Sequence, residues 1–569
     1  MSNLSLSEKV RGFFALALVL SIFFAYDMGI RRFADPDEGR YVEIPREMVV
    51  TGDYVTPRLN GLKYFEKPVL FYWMQAASQK IFGLQETSMR LWTVIFAVLG
   101  CLMVCFMGSR YYSNTIGVAS AGILATSLLY YAHSRLIIID LVLSVFMSGA
   151  LWCFFAAFVK KNPTSHESPP KSSQQKAIIV GMYVLSALAC LTKGLIGMVL
   201  PAFVAFLWIL FTKNWKKIPQ MLYLPGIFSF LLVFLPWHIC VMKQNDDFFH
   251  FYFVVEHFLR YTTTMHDRYQ PVWFFLPVLL LGFAPWTGFS LIAIKNGVVA
   301  AWKKKSTSSE NVFFLCWIGG ILGFFSFSGS KLIPYILPLL QPLALITGIY
   351  IVKSLESRSG NLRIGALLNI FLFAIMAAAY FFLKPTIADV LQDHDAITLI
   401  HVLGAIALAA MVTLLAVAYP KYLKISPLNA LLVFLFLAAN MMWVINKGSV
   451  YYQDVRKPST KKMAEFVRLN KNPDDEVFCY DRYYQDFPVY ANSTVSVVNF
   501  VGELEFGANA EKDKKVLWQE DEFWEFWNTT EKRIFLLMTR DKYKKIFATK
   551  TNRHNILDFD ENFVVISNK

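Results

Sequence analysis

Between positions 35 and 67 the chain gathers side chains suited to chemistry. The stretch DPDEGRYVEIPREM carries Asp35, Asp37, Glu38, Arg40, Glu43, Arg46 and Glu47, and YFEKP adds Tyr64, Glu66 and Lys67. Arginine grips a phosphate through its planar fork, and lysine does so as a point charge. Carboxylates hold a metal, an amine or a sugar hydroxyl. Both kinds in one segment suit a substrate with an anionic group and a polar group.

Three further spots carry comparable groups. HSRLIIIDL (133–141) holds Arg135 and Asp140. DDFFHFYFVVEHFLRYTTTMHDRYQP (246–271) holds Asp246, Asp247, His250, Glu256, His257, Arg260 and His266. Adjacent helical residues point about 100° apart. Glu256 and His257 would therefore join a metal only with ligands from elsewhere, such as Glu66. Zinc accepts such a set, although the spacing is no zinc motif; hydrogen bonding within the loop is the other reading. In FSGSKLIPYILPLLQPLALI (327–346), Lys331 and Tyr335 are expected to share a helix face. LTKGLIG places Lys193 at a helix hinge.

These groups sit in a greasy chain. Of 569 residues, 56% are hydrophobic and 17% charged, below the quarter or so usual for soluble domains. Apolar blocks of roughly 18 to 22 residues match a hydrocarbon core about 30 Å thick. Spans are expected near 13–30, 91–108, 114–132, 138–158, 177–192, 195–212, 221–242, 271–294, 312–328, 333–352, 364–383, 397–418 and 427–445. The first block follows Lys9 and Arg11, lacks a small-residue cleavage site and is read as a retained helix. With the N-terminus inside, basic residues fall in inner connections: Arg110, Lys160 and Lys161, Lys213, Lys216 and Lys217, Lys303 to Lys305, Lys353, Arg358 and Arg363, Lys421 and Lys424. The opening acidic stretch, Asp246 with Asp247, and Asp389 with Asp393 fall outside. This is the positive-inside pattern. It assigns the net charge of +14 to topology rather than to nucleic acid.

The expected organisation is a membrane domain over 1–446, with a first outer loop at 31–90, and an outer α/β domain over 447–569. In that loop, charges alternate with aromatics. Trp73, Tyr72, Tyr64 and Phe65, taken singly, fit an interfacial belt. Asp37, Glu38, Arg40, Glu66 and Lys67 exceed what a belt needs, and charge near a bilayer usually marks a site. After 447, EVFCY, STVSVVNF, RIFLLMT and NFVVIS read as strands and RDKYKKIF as a helix. Six of seven cysteines lie in or near spans and only Cys479 lies in the outer domain, so no disulfide framework is expected. Neither a GxxxxGK[ST] loop nor a GxGxxG turn occurs, so no nucleotide cofactor is expected; a lipid-borne donor needs none.

DPDEGRYVEIPREMVVTGDYVTPRLNGLKYFEKPVLFYWM resembles the first outer loop of lipid A 4-amino-4-deoxy-L-arabinose transferases, GT-C glycosyltransferases related to protein O-mannosyltransferases. LTKGLIG, FYFVVEHFLRY and GSKLIPYILPLLQPLA are similar to later signatures of that family, in the same order. From 355 onward only the architecture matches. The resemblance implies thirteen membrane helices, two interface helices in the first outer loop and a periplasmic α/β domain in a multi-pass protein of the bacterial inner membrane. It implies transfer of an amino sugar from undecaprenyl phosphate to a lipid A phosphate, with membrane lipids around both, lowering surface charge and giving resistance to polymyxin. It carries Asp37 to the donor-site acid and Asp140 to a second cavity carboxylate. Arg40, Lys67, Tyr64 and Tyr335 correspond to groups around the carrier phosphate, and Glu66 with His257 to a metal site, zinc being the candidate.

The developing charge on a polyprenyl phosphate leaving group needs fixed cations, which Arg40 and Lys67 supply. An ionised phosphate acceptor needs no strong base, so Asp37 would position a substrate or stabilise an oxocarbenium-like centre. A hydroxyl acceptor would want Asp37 as base. Rival readings are a GT-C transferase of galactosamine, galacturonic acid or mannose, to lipid A or protein, and a flippase for a lipid-linked sugar. A flippase needs charges within its spans, and these spans have few.

Overall fold

The computed structural model describes residues 6–159, 171–259, 269–303, 309–357, 362–383 and 394–569. Lys160, Lys161, Arg260, His266, Lys304, Lys305, Arg358, Asp389 and Asp393 lie outside them, as does the side chain of His257.

The chain is a mostly helical, multi-pass membrane protein. Among the described residues, nine helices are long and apolar enough to cross a bilayer, from Glu86–Tyr111 to Pro427–Arg456. Two more expected spans are bent pairs: Asn114–Ala125 with Leu128–Ser134, turned by 67°, and Val272–Gly282 with Thr287–Trp302, turned by 118°. Pro285, which lacks an N–H and cannot continue the ladder, sits in the second break. The expected spans 13–30 and 195–212 correspond to the shorter apolar helices Val10–Ala25 and Ile196–Thr212.

Two compact units divide the chain. The first comprises Met1–Tyr26, Trp92–Pro236 and Phe253–Tyr451. Its helices pack through small residues, as lipid-embedded helices do. A Cβ on Gly108 would lie 2.7 Å from the Cα of Gly117, so glycine is required where these two helices meet.

The second unit comprises Asp27–Leu91, Trp237–Tyr252 and Tyr452–Lys569. Its N-terminal part holds helices Asp37–Thr51 and Leu70–Phe82 and the hairpin of β1 (Arg58–Leu59) and β2 (Leu62–Lys63). Asn60 and Gly61 both have positive φ, at 56° and 77°, the type I′ geometry that an Asn-Gly pair favours. Its C-terminal part is the expected α/β fold. β3 (Glu476–Tyr480), β4 (Ser496–Val498), β5 (Leu517–Trp518), β6 (Ile534–Thr539), β7 (Asn555–Phe559) and β8 (Phe563–Ser567) form one sheet. Their order is β5-β4-β3-β6-β8-β7. β5, β4, β3 and β6 run parallel, and β8 and β7 add an antiparallel edge. β3 and β6 are nearly continuous apolar runs because helices cover the central strands. Phe523, Trp524 and Trp527 of helix Glu520–Thr529 pack onto Phe478, Leu536 and Ile566.

Candidate functional site

Helix Asp37–Thr51 starts four residues before the YVEIPREM stretch that marks it in sequence. Asp37 and Glu38 in its first turn suit the positive end of the helix dipole. Asp37 and Arg40 stand one turn apart, so Arg40 Nη2 donates to Asp37 Oδ1 at 2.6 Å. Arg40 Nη1 donates to Glu503 Oε2 at 2.6 Å and to the Tyr64 hydroxyl at 3.3 Å. Asp37 is 62% exposed and Arg40 only 15%, so the carboxylate meets solvent while the guanidinium forms the wall behind it. Lys67 Nζ donates to the Glu66 carbonyl at 2.7 Å and lies 3.8 Å from the Glu66 carboxylate.

The cluster joins two cations to three carboxylates and a phenol. Burial pushes the Glu503 carboxyl above the usual carboxylate range; Arg40 opposes this, while Glu66 and Asp37 add to it. Burial also raises the Tyr64 phenol, against the pull of Arg40, which keeps it a neutral hydroxyl. Arg40 is thus held by two carboxylates, at least one of which a phosphate would have to displace.

The remaining charges of the opening stretch are structural. Arg90 Nη2 donates to Glu38 Oε2 at 2.8 Å, with both side chains 1% exposed. Arg90 also donates to the carbonyls of Met28, Arg31 and Arg32, closing the loop before the helix. Arg46 pairs with Glu43 at 2.6 Å, fully buried. Glu47 accepts the Gly61 N–H at 2.9 Å and so fixes the hairpin turn. Asp35 accepts from Arg482 and from the Gln485 N–H.

A separate cluster lies in the first unit. Asp140 occupies the first turn of helix Ile139–Phe158, and Lys193 the last turn of Ser172–Lys193. Lys193 pairs with Asp140, and its ammonium stands 4.7 Å over the Tyr335 ring. Three residues from three distant sequence positions therefore meet. Arg135 is engaged elsewhere, donating to the Tyr26 carbonyl and the Tyr131 hydroxyl.

Two expectations need correction. Lys331 and Tyr335 do not share a helix face: Leu332 is extended, and the 3-10 turn Ile333–Leu339 begins after it, with Pro334 in its first turn. Lys331 instead donates to the Ser328 and Gln270 carbonyls. The zinc pair of Glu66 and His257 is not supported. Glu66 neighbours the Lys67 ammonium, and the side chain of His257 lies outside the described residues. Among the described residues, no three His, Cys, Asp or Glu side chains are placed to hold a metal.

Glu503 is the participant that sequence reasoning missed. It lies 463 positions from Arg40, in the turn Gly502–Leu504, with no motif around it. Lys193 was visible only as a hinge lysine, and its pairing with Asp140 was not.

Comparison with known proteins agrees with this architecture. Residues 9–252 match the family model of dolichyl-phosphate-mannose-protein mannosyltransferases, and 463–568 that of the aminoarabinose transferase C-terminal domain. The chain is 30% identical to the undecaprenyl phosphate-alpha-4-amino-4-deoxy-L-arabinose arabinosyl transferase of Aeromonas salmonicida, over 78% of this chain and 82% of that protein. It belongs to the aminoarabinose transferase family. The namesake from Edwardsiella ictaluri is 30% identical over 66% of each chain, so the match spans just under two thirds of that relative. ArnT from Cupriavidus metallidurans, solved with undecaprenyl phosphate bound, superposes with a TM-score of 0.81 over 99% of both chains, at 25% identity. An oligosaccharyltransferase of Archaeoglobus fulgidus shares the fold at a TM-score of 0.52 and 12% identity, over 94% of this chain and 70% of that one.

Proposed function

We propose that this protein moves 4-amino-4-deoxy-L-arabinose from undecaprenyl phosphate to a phosphate of lipid A, at the periplasmic face of the bacterial inner membrane. The likeness to ArnT with undecaprenyl phosphate bound, over nearly the whole of both chains, carries the reading. The family relatives support the sugar. The Arg40 and Lys67 cluster supplies the chemistry that a carrier phosphate requires.

An oxygen of the acceptor phosphate attacks the anomeric carbon, whose bond to the carrier phosphate oxygen breaks. Undecaprenyl phosphate leaves with the electron pair. Arg40 and Lys67 stabilise the charge developing on it, with the neutral Tyr64 hydroxyl as a further donor. An ionised phosphate nucleophile leaves no proton to remove, so exposed Asp37 orients the sugar or balances charge at its anomeric carbon. Asp140, held by Lys193, takes a second positioning role on the family resemblance alone. Because the donor is lipid-linked, no nucleotide is required, and no step runs through a metal.

Mass spectrometry of lipid A from cells with and without the protein tests the reaction. An added aminoarabinose mass is expected; its absence overturns the assignment. Asp37→Asn is expected to abolish that added mass while the protein still accumulates in the membrane. Full modification by this variant would remove Asp37 from the site.

A further inference from the structure

A cavity of about 580 Å³ opens in the first unit, away from Asp140 and Tyr335. The span Ile333–Glu356 carries Tyr335 at one end and the cavity residue Lys353 at the other, roughly 29 Å apart at about 2 Å per residue in the 3-10 turn and 1.5 Å beyond it. The cavity therefore lies at the opposite end of this helix from the Asp140 cluster and belongs to neither group described above. Its walls come from the C-terminal halves of Thr287–Lys303 and Leu340–Glu356, the starts of Ser309–Ser326 and Leu362–Leu383 and the turn after Tyr111.

The lining has a definite chemistry. Lys295 and Lys353 are exposed, while Glu310 is buried. Tyr112 links the two regimes: its hydroxyl hydrogen-bonds Glu310, and Lys353 Nζ stands 5.8 Å over its ring. Asn296 and Asn311 add amide donors, and Phe314, Leu315 and Ile346 make an apolar wall. The volume falls in the range of small-molecule sites, about 300–1,000 Å³. Two ammonium groups with amide donors suit a phosphate. The buried carboxylate accepts from a hydroxyl or an ammonium of the same head group. An apolar wall at the end of a membrane-crossing helix suits the first methylenes of an acyl or prenyl chain and gives a soluble phosphate no gain.

We propose that this cavity binds the phosphate head group of a membrane lipid, at a site at the opposite end of the membrane helices from the Asp140 cluster. A head group seated there lies among five chain segments and so holds their ends together. The chemistry fits both a bilayer phospholipid and a polyprenyl phosphate, and the test separates them.

Full-length protein, delipidated in detergent, is titrated with phosphatidylglycerol, with undecaprenyl phosphate and with diacylglycerol, and bound lipid is counted by native mass spectrometry. To keep the transfer site from contributing, the titrations are repeated in Arg40→Ala. One phosphate lipid is expected to bind in that background and diacylglycerol is not; competition between the two phosphate lipids identifies the source. The double variant Lys295→Gln with Lys353→Gln is expected to weaken this binding at least tenfold. Gly297→Leu fills the cavity without changing its charge, since a Cβ there meets only Leu315, at 4.0 Å, and it is expected to weaken binding similarly. Equal binding of diacylglycerol overturns the proposal. So does unchanged affinity in both cavity variants, or an equal loss from neutralising Lys213 and Lys216 outside the cavity.

Discussion

Arg40 answers to competing anions. In the free protein its two nitrogens are taken by Asp37 and Glu503, each at 2.6 Å. The carrier phosphate proposed for this site would have to displace at least one, and Glu503 is the better candidate because burial already disfavours its charge. Its carboxyl titrates above the usual range, so falling pH neutralises it before Asp or Glu in water and releases Arg40. Donor affinity is therefore expected to rise as pH falls from neutral through that raised range. Glu503→Gln should tighten donor binding severalfold at pH 7.5 and flatten the dependence, read from KM for the lipid-linked donor across pH. If Lys67 contacts the carrier phosphate as proposed, Lys67→Ala should weaken donor binding roughly tenfold or more. Unchanged affinity would take Lys67 away from the phosphate. At this scale the sequence singled out Asp37, Arg40 and Lys67 because they lie in one run of the chain, and the structure pairs Arg40 with Asp37 and sets Lys67 beside Glu66. It was silent on Glu503, whose only link to Arg40 is spatial.

The helix Asp37–Thr51 shows how an element holds such a site. Its buried face carries Glu38, Glu43, Arg46 and Glu47, all less than 5% exposed. Read in sequence, Glu38 counted with the candidate site, while Glu43, Arg46 and Glu47 belonged to an expected interface helix. Folded, they are internal ties, a distinction that needs burial and so is not visible in a pattern of charges. Removing one partner of a buried pair costs about 3–5 kcal/mol. Glu38→Gln is therefore expected to lower thermal stability strongly by leaving Arg90 without its counter-charge, whereas Asp37→Asn at the exposed position should not. Glu47 gives a pH signature. Burial, then the charge of Glu43, pushes its carboxyl up to about 8, against Arg46 and the Gly61 N–H; unfolded, it titrates near about 4.3. The folded state thus binds the extra proton, and its stability is full below the unfolded value and falls as pH rises through about 8. Unfolding temperatures should decline from pH 5 to 8, and Glu47→Gln should reduce that decline.

At the scale of the whole molecule, apolar run lengths disclosed the helices and the composition shift disclosed the α/β domain. Two-residue strands such as β5 are too short for any period to register, and bends of 67° and 118° leave no mark on a hydropathy pattern. Nor does the sequence hint that the first loop and the C-terminal domain belong to one compact unit. Asp35 meets Arg482, Glu86 meets Lys461 at 2.7 Å, and Arg58 meets Glu511 at 2.9 Å. The closest approach is at Gly39, where a Cβ would lie 2.5 Å from the carbonyl carbon of Gln485 and 2.7 Å from the nitrogen of Asp486. Backbone atoms cannot give way as a side chain can, so any larger residue at 39 must separate the two parts. Gly39 is one position from Arg40, so separation also pulls Arg40 from Glu503. Gly39→Ala is accordingly expected to speed proteolysis within 452–569, lower the unfolding temperature and reduce sugar transfer together, while the membrane helices still insert. Asn492→Gly, which removes the 3.2 Å contact from Arg46 and suits the left-handed backbone there, at φ 50°, should leave transfer close to wild type. If Gly39→Ala kept full transfer despite faster proteolysis, the C-terminal domain would not be needed to set Arg40.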